Sequence, residues 1–163
     1  MKKLSALAGI LGILAMTGCT VASAADDGKR KGDISVTEVD IKDGYYLSDN
    51  DDSYIHIEDG KIELCGYDIE GKAKEVYEKT EGEKVSLDEW IENAKEQFEP
   101  LFAWKEYTPV CFTAMGANGE DMVWLVVDYE FASKNGAYTG YEVNKDGTIS
   151  REGNVYTYTG EKF

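Results

Sequence analysis

The chain has 163 residues and a formal charge of −15, with 32 acids against 17 bases and a single histidine. That balance argues against nucleic acid as a partner, because phosphate binding needs Lys and Arg to displace counterions, and it repels anionic lipid headgroups. Basic proteins, cations and neutral ligands are the partner classes it leaves open.

Lys2 and Lys3 precede an uncharged, mostly apolar run from Leu4 to Met16. As a helix that run would cover roughly 20 Å, short of a hydrocarbon core of about 30 Å. It therefore reads as the core of an export signal rather than a membrane span. Met16-Thr17-Gly18-Cys19 resembles the lipobox of bacterial lipoproteins, in which small residues before the cysteine admit a peptidase and the new N-terminal cysteine takes a diacylglyceryl group. The resemblance implies lipid attachment at Cys19; Met16 departs from the leucine usual in that family. Ala22-Ser23-Ala24 supplies the rival route, an ordinary secretion cleavage site. The chain accordingly divides into a signal segment (1–24), a tether and lead-in (25–43) and one β-rich globular domain (44–163). Cleavage removes Lys2 and Lys3, which leaves 15 bases against 32 acids and a charge of −17. Ala25 to Gly32 has nothing to bury and reads as a solvated spacer.

Gly44 to Leu47 reads as a first strand. Ser53 to Ile57 and Lys61 to Cys65 alternate on either side of the turn pair Asp59-Gly60. Centring on that turn pairs Tyr54 with Cys65, Ile55 with Leu64, His56 with Glu63, Ile57 with Ile62 and Glu58 with Lys61. One face then carries Ile55, Ile57, Ile62 and Leu64; the other carries Tyr54, His56, Glu58, Lys61 and Glu63. Tyr67 to Thr80 is ambiguous: Ile69, Ala73, Val76 and Tyr77 have helical spacing, but Gly71 and the β-branched residues oppose a helix.

Ser86 to Phe98 carries a full set of helix signals. Ser86 is the N-cap, Glu89 completes a capping box, and Val85 with Trp90 forms a hydrophobic staple. Leu87, Trp90, Ile91, Ala94 and Phe98 line one face, and Pro100 marks the expected end. Val110 to Met115 and Met122 to Val127 form a second hairpin around Asn118-Gly119, with Phe112 opposite Leu125 and Cys111 opposite Val126. The run Met122 to Val127 is apolar on both faces and should be buried on both. Strands around Tyr138 to Val143, Thr148 to Arg151 and Val155 to Thr159 complete the domain, with turns at Asn135-Gly136, Asp146-Gly147 and Gly153-Asn154. The expected class is α+β: a mostly antiparallel sheet, or a small barrel, of about seven strands with one amphipathic helix.

Cys65 and Cys111 form an even pair in an exported chain and could bridge; the alternative is two reduced thiols. His56 is expected to pair with Glu63 on the solvated face. The sequence has no Gly-x-Ser-x-Gly elbow and no zinc-type ligand spacing, so no catalytic residue, metal or cofactor is assigned. Asp49 to Ser53 fails as an EF-hand, because Tyr54 and Gly60 stand where that loop needs glycine and glutamate. The tyrosines suggest a stacking platform for a ligand: Tyr156 and Tyr158 on one strand face, with Tyr138 and Tyr141 on a neighbouring strand.

Gly44-Tyr45-Tyr46, Tyr54-Ile55-His56-Ile57, Asp59-Gly60-Lys61-Ile62 and the closing Val155-Tyr156-Thr157-Tyr158 resemble the strands of small exported bacterial lipoproteins with a lipocalin-like antiparallel sheet. That likeness implies binding of a small molecule or protein in a sheet cavity, and no catalytic residues. The expectation is an exported, lipid-anchored, non-catalytic binding module facing outward from the cell membrane, held there by its lipid alone. The alternative is a carboxylate-dependent hydrolase of sugar or cell-wall material, marked by two acids about 5–10 Å apart.

Overall fold

The computed structural model describes residues 34–80, 85–113, 120–136 and 138–161. The signal segment, Cys19, the 25–32 tether and Asn118-Gly119 lie outside the described residues. In chain order the elements are β1 (Ile34–Val36), β2 (Gly44–Ser48), β3 (Tyr54–Glu58), β4 (Lys61–Cys65), α1 (Ile69–Lys79), α2 (Leu87–Phe102), β5 (Lys105–Phe112), β6 (Met122–Val127), α3 (Tyr129–Asn135), β7 (Gly140–Val143), β8 (Ile149–Arg151) and β9 (Asn154–Tyr158). The α+β class and the antiparallel sheet are as expected. The described residues hold nine strands rather than seven and three helices rather than one.

The sheet runs β1-β5-β4-β3-β2-β9-β8-β7-β6, and a further β5–β6 pairing closes its hydrogen bonds into a ring. β5 is the shared strand. Lys105 and Glu106 pair with β4, Tyr107 to Phe112 pair with β6, and Val110 to Phe112 also hold β1. β1 thus falls within the stretch read as tether and lead-in, so the packed unit begins before Gly44. Val36 is apolar enough to pair there but contributes little burial, being 58% exposed.

The β3–β4 register matches the expected one at all five pairs, from Tyr54↔Cys65 to Glu58↔Lys61. Asp59 and Gly60 both have positive φ, 48° and 73°, the geometry that matches the right-handed twist of the flanking strands. The β5–β6 register differs from expectation by three residues: Phe112 faces Met122, not Leu125. An odd shift exchanges faces. Leu125 therefore joins the interior with Tyr141, while Trp124 and Val126 join Phe112 and Val110 on the outside. The connection between Phe112 and Met122 is nine residues long, too long for a two-residue Asn-Gly turn to dictate the pairing.

α1 resolves the ambiguous stretch in favour of helix. Asp68 caps it, accepting a 2.8 Å bond from the Gly71 amide, and a Cβ on Gly71 would collide with that same carboxylate at 2.0 Å. The glycine that weakens the helix signal is the residue that admits the cap. α2 begins at its expected cap: Ser86 Oγ accepts from the Glu89 amide at 3.2 Å. It does not stop at Pro100 but runs on to Phe102. Phe102 is 7% exposed and packs its ring 5.0 Å from Tyr67, so tertiary contact extends the last turn past the proline.

α1 and α2 lay Ala73, Val76, Trp90, Ala94, Phe98 and Phe102 against the inner face of the ring. Trp90 Nε1 donates to the Ala73 carbonyl at 3.0 Å, joining the two helices inside the core. α3, absent from the sequence reading, covers the outer face of β5–β6 with Ala132 beside Trp124, Val126 and Tyr138. β6 is therefore buried on both faces, as its composition requires. Asn135-Gly136 is the end of α3, with Gly136 at φ 66°, rather than a hairpin turn. The β8–β9 turn sits one residue earlier than expected, at Glu152-Gly153, both with positive φ.

No disulfide joins Cys65 to Cys111. Cys65 lies three residues beyond Ile62 and Cys111 six beyond Lys105, in opposite directions along the β4–β5 pair. At 3.3 Å per residue that places them about 30 Å apart, far outside the Cα separation of roughly 7 Å that a bridge tolerates. No helix among the described residues is long and apolar enough to cross a membrane.

Candidate functional site

The interior is filled rather than hollow along the ring. Tyr141 and Tyr156, two of the four tyrosines of the expected platform, are 2% and 1% exposed within the main core. Tyr138 is 7% exposed and packs edge-on to Phe112 on the opposite side of the sheet. Only Tyr158 reaches the surface, where its hydroxyl donates to the Asp43 carbonyl at 3.2 Å and Lys42 lies over its ring. Burial pushes the Tyr141 and Tyr156 hydroxyls above their ordinary pKa. Arg151 stacks its guanidinium on Tyr141 at 4.5 Å and on Phe102 at 5.3 Å. The four residues thus do not share one accessible surface, and three of them serve packing.

The Asp49–Ser53 loop spends two of its three carboxylates on the fold. Asp49 accepts from the Val155 amide at 3.0 Å. Asp51 accepts from the Ser53 amide at 2.9 Å, from Asn154 Nδ2 at 2.9 Å and from the Ser53 hydroxyl. With the Ser53 proton committed to Asp51, the Tyr156 hydroxyl donates to Ser53 Oγ at 3.1 Å. This chain of bonds locks the loop to β9. Among the described residues no group of three or more His, Cys, Asp or Glu side chains converges in a way that could hold a metal.

The outer face of β2–β3–β4 is different. Tyr45 is paired with His56 across the β2–β3 ladder, and their rings stack with centroids 4.2 Å apart and planes 10° from parallel. His56 Nδ1 lies 3.3 Å from Glu63 Oε1, the cross-strand partner expected from the register. The Trp104 ring closes on His56 at 4.8 Å, and Tyr54 adds its ring to Tyr45 at 5.8 Å. Trp104 is 41% exposed, whereas Trp90 and Trp124 are 2% and 6%. It stands between the end of α2 and the start of β5, so the helix terminus carries it onto the sheet.

Two open clefts lie beside this stack. One, about 290 Å³, is lined by Glu58, Asp59, Lys61 and Trp104. The other, about 270 Å³, has Glu63 and Glu99 on its walls over Leu64, Tyr67 and Phe102. Desolvation, with Glu152 as the next contributor, pushes the Tyr67 hydroxyl up to about 12, so it stays protonated and can donate. His56 has Tyr45 and Trp104 against it and Glu63 on its nitrogen. That arrangement orients a stacked imidazole; it suits contact with a ligand better than proton transfer in an open pocket.

The β3–β4 register already put Tyr54, His56 and Glu63 on this face. Tyr45 was reachable by extending the same alternation to β2. Trp104 carried no local signal, because its position depends on how α2 docks. The chain matches no protein-family model, no curated protein and no solved structure.

Proposed function

We propose that the protein is an exported, lipid-anchored, non-catalytic module that binds its partner on the outer face of β2–β3–β4, around Tyr45, His56 and Trp104. The observation that carries this reading is the aromatic stack ending in the exposed Trp104. Large exposed aromatics beside shaped clefts are favoured contact groups, since they bury much area at little entropic cost. The two other described tryptophans are spent on packing. A lipocalin-like mode, with a ligand inside the sheet, would have to displace α1 and α2 from the ring, so the outer face is the better candidate.

The export half of the proposal rests on Leu4 to Met16 and on Cys19. Two acyl chains on Cys19 would anchor the domain stably, where one would not. The test is the intact mass of the protein from the host that makes it, native and then denatured. A diacylglyceryl mass on Cys19 supports the anchor; an N-terminus at Ala25 replaces it with secretion. A species that dissociates on denaturation, and that shields Trp104 from acrylamide quenching when added back, supports the binding face. If that species binds equally well to Trp104→Ala protein, the face is wrong.

A further inference from the structure

Resting on that reading of the outer face, we infer that its occupant is an extended segment of a partner protein carrying lysine or arginine side chains. The apolar contact group on this face is the exposed Trp104, and the clefts beside it have acidic walls. Glu58 and Asp59 line the cleft that Trp104 shares, and Glu63 and Glu99 line the second; Lys61 is the one base among these lining residues. α2 adds to the field. It is 16 residues long with no basic residue in its last turn, so the partial negative charge of its C-terminal carbonyls is not offset there. Trp104 sits two residues beyond that end, with a ring face available to a cation.

The spacing favours an extended peptide over a single small cation. Lys61, which lines the first cleft, and Glu63, which lines the second, are two residues apart on β4, about 7 Å. Alternate side chains of an extended peptide project to one face at intervals of roughly 7 Å. Residues i and i+2 would then reach the two neighbouring clefts, one of them walled by Trp104. A chain with 32 acids against 17 bases selects the sign of the partner by long-range attraction, and Trp104 supplies the local contact.

The experiment is calorimetric titration of the full exported chain with a short peptide alternating lysine and serine, its glutamate counterpart, and a neutral oligosaccharide. The lysine peptide is expected to bind, more weakly as salt rises, and the glutamate peptide not at all. Trp104→Ala should weaken binding by about tenfold, and E58Q combined with D59N should weaken it further. Asparagine tolerates the positive φ at position 59, so the second variant keeps the turn. Phe131→Ala, at an exposed aromatic on α3, should leave binding unchanged. Equal binding of the lysine peptide to Trp104→Ala protein would mean diffuse charge attraction and overturn the inference. Binding of the oligosaccharide alone, lost in Trp104→Ala, would overturn the peptide and keep the face. No ligand sensitive to Trp104 would remove both.

Discussion

Asp51 is exposed, yet it holds the Ser53 amide, the Ser53 hydroxyl and Asn154 together beneath Tyr156. Burial alone would raise its pKa, but the bonds from Ser53 and Asn154 outweigh that and leave it lowered. A carboxyl depressed in the folded state stabilises above its unfolded pKa of about 3.9 and loses that contribution as pH falls through the folded value. Stability to urea should therefore decline below about pH 4, and Asp51→Ala should flatten that decline while costing about 1–2 kcal/mol at neutral pH. Tyr156→Phe should cost about 1 kcal/mol, because Ser53 keeps its bond to Asp51. Glu70 is held at about 2 by hydrogen bonds from Lys74 and Lys95; it is solvent-exposed, so salt should mask its share of the acid sensitivity.

At the scale of elements, α2 is the piece most fully encoded locally and most heavily used. Ser86 bonds the Glu89 amide, and Ser86→Ala should cost about 1 kcal/mol in a denaturant melt. Trp90 is a larger matter. It is 2% exposed and bonds the Ala73 carbonyl of α1, so Trp90→Phe should cost about 2 kcal/mol through the lost bond and volume. Hydrogen exchange in α1 should rise with that variant, because Trp90 makes the buried hydrogen bond between the helices, whereas the Lys95–Glu70 bond between them is exposed. The hairpins divide by loop length. Asp59-Gly60 closes β3–β4 in two residues and dictates its pairs, whereas the long β5–β6 connection leaves register to burial. There Leu125 and Tyr141 meet inside the ring, and Phe112, Trp124 and Tyr138 meet under α3.

At the scale of the molecule, stability comes from the ring and its helix filling, not from a bridge. Reductant should leave the melting temperature unchanged, and Cys65 and Cys111 should both alkylate on unfolding without prior reduction. A melting point that drops on reduction would contradict the placement of the two cysteines. The ring also bears on the proposed binding face. With α1 and α2 against its inner face and α3 over β5–β6, the outward side of β2–β3–β4 is left with its aromatics beside open clefts.

Short-range chemistry was legible in the chain itself. The Asp59-Gly60 turn, the alternation of Ile55, Ile57, Ile62 and Leu64, and the Ser86 cap act within a few residues, so local patterns specify β3, β4, α2 and the His56–Glu63 pair. The acid excess likewise sets the expectation about partners without reference to fold. The closure of β5 on β6, the three-residue shift in their register, the helix α3, the separation of the cysteines and the placement of Trp104 on His56 belong to the tertiary structure. Each of these joins segments through long connections, where many pairings are locally acceptable and burial of the whole core chooses among them. The tyrosines show the difference most directly: strand alternation assigns Tyr141 and Tyr156 to a face, but only the docking of α1 and α2 makes that face the inside.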